Sequence, residues 1–195
     1  FKQKYVWLFF LGIFCYVSTE QGTSIFMSTF LEQYHGVNPQ TDGAQAVSYF
    51  WGLMTAGCLV GMLLLKLIDS KRLLQISGVL TIVLLLSALF GSKGIALIAF
   101  PAVGFSISMM YSIVFSLALN SASQHHGSFA GILCSAIVGG AGGPMIVSTI
   151  ADATSLRTGM LFILVFVGYI TFIGFWARPL INNKTVKLKE LFKKA

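Results

Sequence analysis

Glu20 is the only acidic residue well inside an apolar stretch, about midway along segment 6–30. A charge at the centre of a hydrocarbon layer is unfavourable by about 2.5 to 3.5 kcal/mol on insertion scales, so such a group faces protein or water. Helical spacing gives it polar company. Tyr16, Glu20 and Ser24 follow at i, i+4, with Thr19, Thr23 and Met27 beside them and Gln21 near Ser24 and Ser28. A sugar needs carboxylate or amide acceptors, hydroxyl donors and an aromatic face, and this stripe offers that chemistry. Glu20, Gln21 and Ser24 are therefore candidates for substrate binding. The alternative reading makes Glu20 interhelical glue, hydrogen-bonded to a neighbouring helix.

A second row lies near the fourth apolar segment. Ser108, Ser112, Ser116 and Asn120 repeat at four, and Tyr111 with Phe115 forms an adjoining aromatic ridge. Any one serine in a span can simply bond back to the preceding turn. Four in a row ending in Asn lean toward a cavity wall, which adds Tyr111, Phe115, Ser116 and Asn120 to the candidates. Glycines mark a different role. Gly57-x-x-x-Gly61 and the run Gly139-Gly140-Ala141-Gly142-Gly143-Pro144 allow close backbone approach or bending. Pro144 leaves the Gly140 carbonyl without its partner, so a kink or local unwinding is expected there. Gly57, Gly61, Gly139, Gly140 and Pro144 are candidates for packing or gating, with a moving helix and a static one both compatible.

Other chemistries find little purchase. Cys15, Cys58 and Cys134 fall in different spans with no Cys-x-x-Cys pattern and no adjacent His, so neither a disulfide nor a metal site is indicated. The three histidines lie outside the spans, and the pair His125-His126 reads as solvated. With no Gly-x-Ser-x-Gly pattern either, an enzyme is not expected.

The elements that must position these residues follow from composition. Of 195 residues, 56% are hydrophobic and only 10% charged, against about 25% charged in soluble domains. Too few charges exist to cover a sphere, so much of the surface must face lipid. Six segments approach the roughly 20 apolar residues needed to cross a bilayer: 6–30, 46–67, 73–90, 95–119, 129–151 and 159–177. Runs such as 80–86 do not alternate apolar with polar, which excludes a transmembrane β-barrel. The expected fold is an all-α integral membrane bundle, 1–181, followed by a basic tail, 182–195.

Charge placement gives the topology. The formal net charge is +7. Lys2 and Lys4, then Lys66, Lys71 and Arg72, then Arg178 and the five lysines of the tail would all lie on one side, with only Lys93 and Arg157 opposite. Positive residues in short loops stay cytoplasmic, so both termini are expected there. The basic excess is thus a lipid and topology signal and not a nucleic-acid footprint. In the tail, Leu188, Leu191 and Phe192 are spaced for a short amphipathic helix on anionic headgroups. The chain starts at Phe1 without an initiator Met, and an excerpt of something longer is expected.

Several stretches carry a resemblance. They are Cys15-Tyr16-Val17-Ser18-Thr19-Glu20, Gly57-Cys58-Leu59-Val60-Gly61, Asp69-Ser70-Lys71-Arg72-Leu73-Leu74 and, most specifically, Tyr111-Ser112-Ile113-Val114-Phe115-Ser116-Leu117-Ala118-Leu119-Asn120. Gly131-Ile132-Leu133, Ala136 to Ala141 with Pro144, and Ala151-Asp152 complete the set. Together they resemble the C-terminal six helices of the fucose, galactose and glucose proton symporters of the major facilitator superfamily. The sequence departs from that family at Cys58, where the family has Arg, and at Ser112, where it has Pro.

The resemblance implies two three-helix inverted repeats, 6–90 and 95–177, related by an axis in the membrane plane. It also implies a monosaccharide bound at the midplane against an N-terminal six-helix half, either upstream in the same chain or on a separate one. Tyr49 and Trp51 would then stand at the outer mouth. The proton would be the coupling ion, with no other cofactor, and the acidic groups credited with coupling lie in the missing half, which leaves Glu20 to sugar binding. A bacterial inner membrane is the implied location. The competing reading is a non-transporting truncated protein or a half kept as a scaffold.

Overall fold

The computed structural model describes residues 3–122 and 126–179. The tail 182–195 and His125 lie outside the described residues. All regular structure among those described is helical.

Helix α1 (Gln3–His35) runs unbroken for 33 residues. Gly36 stops it by adopting φ +61, a left-handed conformation that glycine enters without a Cβ clash. The Gly36 N–H then donates to the Glu32 carbonyl at 3.0 Å and the Val37 N–H to the Leu31 carbonyl at 3.2 Å, while Val37 is buried beneath the cap. Asn38 accepts from the Gln40 N–H at 2.8 Å and opens a π turn, Pro39–Gly43. That turn feeds α2 (Ala44–Leu67). Asp69 caps α3 (Ser70–Phe90) by accepting from the Lys71 N–H at 3.0 Å. There follow α4 (Lys93–Ile107), α5 (Met110–Asn120), α6 (His126–Ser135), a 3₁₀ turn (Ala136–Val138), α7 (Gly139–Ala153), α8 (Leu156–Leu161) and α9 (Ile163–Trp176).

Among the described residues, five helical stretches are long and apolar enough to cross a membrane: Pro39–Leu67, Ser70–Phe90, Lys93–Asn120, His126–Ala153 and Leu156–Trp176. They correspond to the last five of the six expected spans. The first expected span lies within α1, which is long enough but is made less apolar by Glu20, Gln21, Glu32 and Gln33.

Three spans read as single helices are interrupted, one of them, 159–177, only at Phe162 between α8 and α9; the other two breaks are longer. Between α4 and α5 the winding breaks at Ser108 and Met109, where Ser106 donates to the Val103 carbonyl at 2.9 Å and Ser108 to the Phe105 carbonyl at 2.8 Å. Serine hydroxyls that bond back in this way compete for the helical acceptors. The second of these lies beside the place where a kink or local unwinding is expected. The 3₁₀ turn Ala136–Val138 comes just before Gly140, the residue whose carbonyl Pro144 cannot serve. Ser135 donates to the Ile132 carbonyl at 2.7 Å just before that turn, and Gly140 sits in the first turn of α7 with Pro144 inside the helix.

Packing follows a repeated plan. Helix α4 packs against α2 and α3, α1 packs against α7 and α9, and α3 meets α9 at the centre. The two outer contacts are glycine-mediated. A Cβ on Gly57 would lie 2.8 Å from the Phe105 carbonyl oxygen of α4, and one on Gly143 would lie 2.5 Å from the Ser18 Cα of α1. In both cases the helix backbones touch, which any larger residue prevents. Phe9, Phe30, Phe50 and Phe100 fill the interior. Outward stand Leu59, Met62, Leu63, Met145, Phe172 and Phe175, an apolar surface that is at home in lipid and not in water. The chain forms a multi-pass membrane bundle.

Candidate functional site

At the middle of α1 the polar side chains bond to one another and to backbone carbonyls, Thr19 to that of Cys15 at 2.9 Å and Ser18 across to that of Gly139 at 3.0 Å. The Gln21 amide donates to Glu20 Oε1 at 3.2 Å. Ser24 donates to the Gln21 carbonyl at 3.3 Å and is buried. Glu20 itself is half-buried. One turn earlier on the same helix, Tyr16 is buried.

Tyr16 connects this stripe to α5. Its ring centroid lies 5.6 Å from that of Tyr111, and Tyr111 stacks on Phe115 at 5.7 Å with 20° between planes. Tyr111, Ser112, Phe115, Ser116, Asn120 and His126 line a groove of about 560 Å³. Helical geometry makes this wall: Ile113, Val114, Leu117 and Ala118 turn inward and are buried, which leaves the polar and aromatic face of α5 on the groove.

The structure thus brings Glu20, Gln21 and Ser24 into one polar stripe and Tyr111, Phe115, Ser116 and Asn120 into one groove wall, with Tyr16 between them. Ser108 leaves the row expected for it. The break before α5 turns it onto α2, where its backbone carbonyl accepts from Cys58 Sγ at 3.5 Å. Tyr49 and Trp51 are exposed on the early turns of α2, outside the groove lining, with the Gln45 amide donating to the Tyr49 hydroxyl at 2.9 Å. Gly139 and Gly140 face α1, where Cβ atoms would lie 3.0 Å from the Phe14 carbonyl carbon and 3.2 Å from Val17 Cγ1. Gly61 faces Met109, whose Cε would be 2.9 Å from an added Cβ.

Two members of this region were not among the substrate-binding candidates read from the sequence. Tyr16 was visible one turn before Glu20, but only the crossing of α1 and α5 makes it the bridge. His126 belonged to a pair read as solvated, and it borders the groove. Among the described residues no group of three metal-ligating side chains occurs. A wall of hydroxyls and an amide beside stacked aromatic rings, with a carboxylate one residue away, can hold a neutral polyhydroxylated molecule by hydrogen bonds to its edges and apolar contact with its C–H face.

No protein-family model matches the chain. A protein named glucose/galactose transporter from Brucella abortus biovar 1 (strain 9-941) is 35% identical over 166 residues, which is 84% of this chain and 40% of that protein. The protein of the same name from Brucella abortus (strain 2308) matches to the same extent. The chain therefore spans about two fifths of the length of these curated relatives. Among solved structures, the major facilitator superfamily transporter FucP in its outward conformation superposes with a TM-score of 0.80 over 91% of this chain and 43% of that one, at 17% identity. These relatives are transporters and not enzymes. Over most of its length the chain is thus similar in sequence to about two fifths of proteins named glucose/galactose transporter and similar in fold to a little under half of a major facilitator superfamily transporter.

Proposed function

We propose that the chain supplies the C-terminal half of a secondary transporter that carries a monosaccharide by proton symport and alternating access. The observation that carries this reading is the succession of polar and aromatic groups from Glu20 and Gln21, past Tyr16 one turn earlier on α1, to Tyr111 and Phe115. Glu20, Gln21 and Ser24 hydrogen-bond sugar hydroxyls, Tyr111 and Phe115 take the C–H face, and Ser116 and Asn120 extend the wall toward the cytoplasmic mouth. Tyr49 and Trp51 guard the outer mouth. The wall is open on one side, where an N-terminal six-helix half closes it and contributes the proton-coupling acids.

The repeated packing plan supports a pair of three-helix inverted repeats. In it α4 stands to α2 and α3 as α1 stands to α7 and α9. Glycines of α2 and α7 would be the sliding contacts as the bundle rocks. The distribution of Lys and Arg supports placing both termini in the cytoplasm, and the bacterial sources of the relatives support an inner membrane.

The test is sugar-driven proton uptake by the natural full-length protein carrying Glu20→Ala or Glu20→Gln. Loss of sugar affinity in the Ala variant with retention in the Gln variant is expected for a hydrogen-bonding role. Wild-type uptake and affinity in both variants would remove Glu20 from the site.

A further inference from the structure

A second polar cleft opens at the end of the bundle opposite the basic flanks, among the end of α1, the end of α7 and the start of α8. It has a volume of about 430 Å³, and its lining includes Phe26, Thr29, Gln33, Ser148, Asp152 and Ser155. Phe26, Thr29 and Gln33 stand at i, i+3, i+7 on α1, and Ser148 and Asp152 at i, i+4 on α7, so two helical stripes face each other across it. At 100° per residue the α1 stripe is turned well away from Tyr16 and Glu20. It is a separate place from the groove on α5.

The lining sorts into occupied and free groups. Ser148 donates to the Met145 carbonyl at 3.0 Å, and Ser155 pairs with the Thr158 hydroxyl at 2.9 Å. Thr29, Gln33 and Asp152 make no hydrogen bond to another described residue, and all three are exposed to the cleft. The free set is thus a carboxylate, a carboxamide and a hydroxyl beside one aromatic ring.

That set selects among ligands. Asp152 disfavours an anion, and no cation lines the cleft; the guanidinium of nearby Arg157 lies 4.5 Å above the Tyr34 ring. A metal ion would find only one carboxylate, and no three-ligand group occurs among the described residues. A neutral polyol meets every group. Asp152 accepts from vicinal hydroxyls, the Gln33 amide both donates and accepts, Thr29 adds a third polar contact, and Phe26 offers a face to C–H bonds.

We propose that this cleft is a second, peripheral monosaccharide-binding site, with Asp152 and Gln33 as its principal contacts. Its ligand class rests on the sugar-transport reading, but its location and residues do not. The test uses the natural full-length protein in proteoliposomes, with Cys134→Ser to remove the exposed thiol of α6 and Ser148→Cys as a reporter in the cleft. D-galactose is the probe, mannose and sorbitol are comparators, and the rate of maleimide labelling at the reporter is read. Galactose slows labelling about fivefold at saturation, and Asp152→Asn or Gln33→Ala raises the galactose concentration required by about fivefold or more.

Protection must persist in a Glu20→Ala background. Its disappearance there would mean that the slowing came from a conformational change driven by the central groove, which overturns the proposal. Absence of protection, or protection indifferent to both cleft variants, overturns it equally. The two readings fail separately: unchanged transport in Glu20→Ala strikes the central site alone, whereas the cleft is judged by labelling alone. Thr29→Val, which keeps shape and removes only the hydroxyl, gives a third weakening if the larger changes disturb folding.

Discussion

The Tyr16 ring lies 5.6 Å from the Tyr111 ring at an interplanar angle of 56°, and this single contact joins the polar stripe of α1 to the groove wall of α5. Tyr16 meets Tyr111 with its ring and stands one turn before Glu20 on α1, where its hydroxyl adds a further polar group. Packing and hydrogen bonding are therefore separable by substitution. Tyr16→Phe keeps the ring and is expected to raise the KM for sugar about three- to tenfold, the worth of one hydrogen bond, with the melting temperature nearly unchanged. Tyr16→Ala empties a buried site and lowers stability by about 3 kcal/mol. A Phe variant with wild-type KM would make the hydroxyl irrelevant to the site.

Glycine contacts between helices carry a sharper expectation. A methyl group at Gly57 meets the Phe105 carbonyl and one at Gly143 meets the backbone of Ser18, whereas one at Gly131 meets nothing within 4 Å. Gly57→Ala and Gly143→Ala should each cost about 1 to 3 kcal/mol, because backbone cannot move aside as a flexible side chain can. Gly131→Ala should be neutral or slightly stabilising through its helix propensity. Thermal unfolding in one detergent reads all three, and equal effects at the three positions would contradict the packing.

Arg157 fastens three helix ends. Its guanidinium lies 4.5 Å from the Tyr34 ring centroid, 5.6 Å from Phe90 and 5.8 Å from Phe30, while its backbone N–H donates to the Tyr34 hydroxyl at 3.3 Å. Arg157→Met is expected to lower stability by about 1 to 2 kcal/mol. Lysine should recover little of that, since stacking depends on a planar cation. Full recovery by Arg157→Lys would show that charge alone matters there.

The Thr81 and Ser106 hydroxyls are 2.7 Å apart between α3 and α4, so one donates to the other while the accepting hydroxyl donates to its own helix. The carbonyls in reach are that of Ser77 for Thr81 and that of Val103 for Ser106. Thr81→Val leaves Ser106 with a partner, so a loss near about 0.6 kcal/mol is expected, typical of hydrogen bonds between membrane helices. A loss several times larger in thermal unfolding would mean that Ser106 depends on Thr81.

Sequence by itself determined the quantities that are local to one helix. Hydropathy marked the spans, i, i+4 spacing put Glu20 with Ser24 and Tyr111 with Phe115 on common faces, and the distribution of Lys and Arg suggested a side. These are properties of a periodic chain and its solvent, legible without knowing any neighbour. Whether two such rows ever meet depends on helix crossings and on breaks in winding, which no single period encodes. Ser108 illustrates the break: in an unbroken helix it would stand in line with Ser112 and Ser116, but hydroxyl back-bonds interrupt the span and turn it onto α2. Tyr16 illustrates the crossing, since its role exists only where α1 passes α5. The glycines of α2 and α7 announced close approach by composition, while the partners, Phe105 and Ser18, were fixed by tertiary packing alone. The cleft around Asp152 belongs wholly to the second kind, for it is made by the ends of three helices that are distant in the chain and adjacent only after folding.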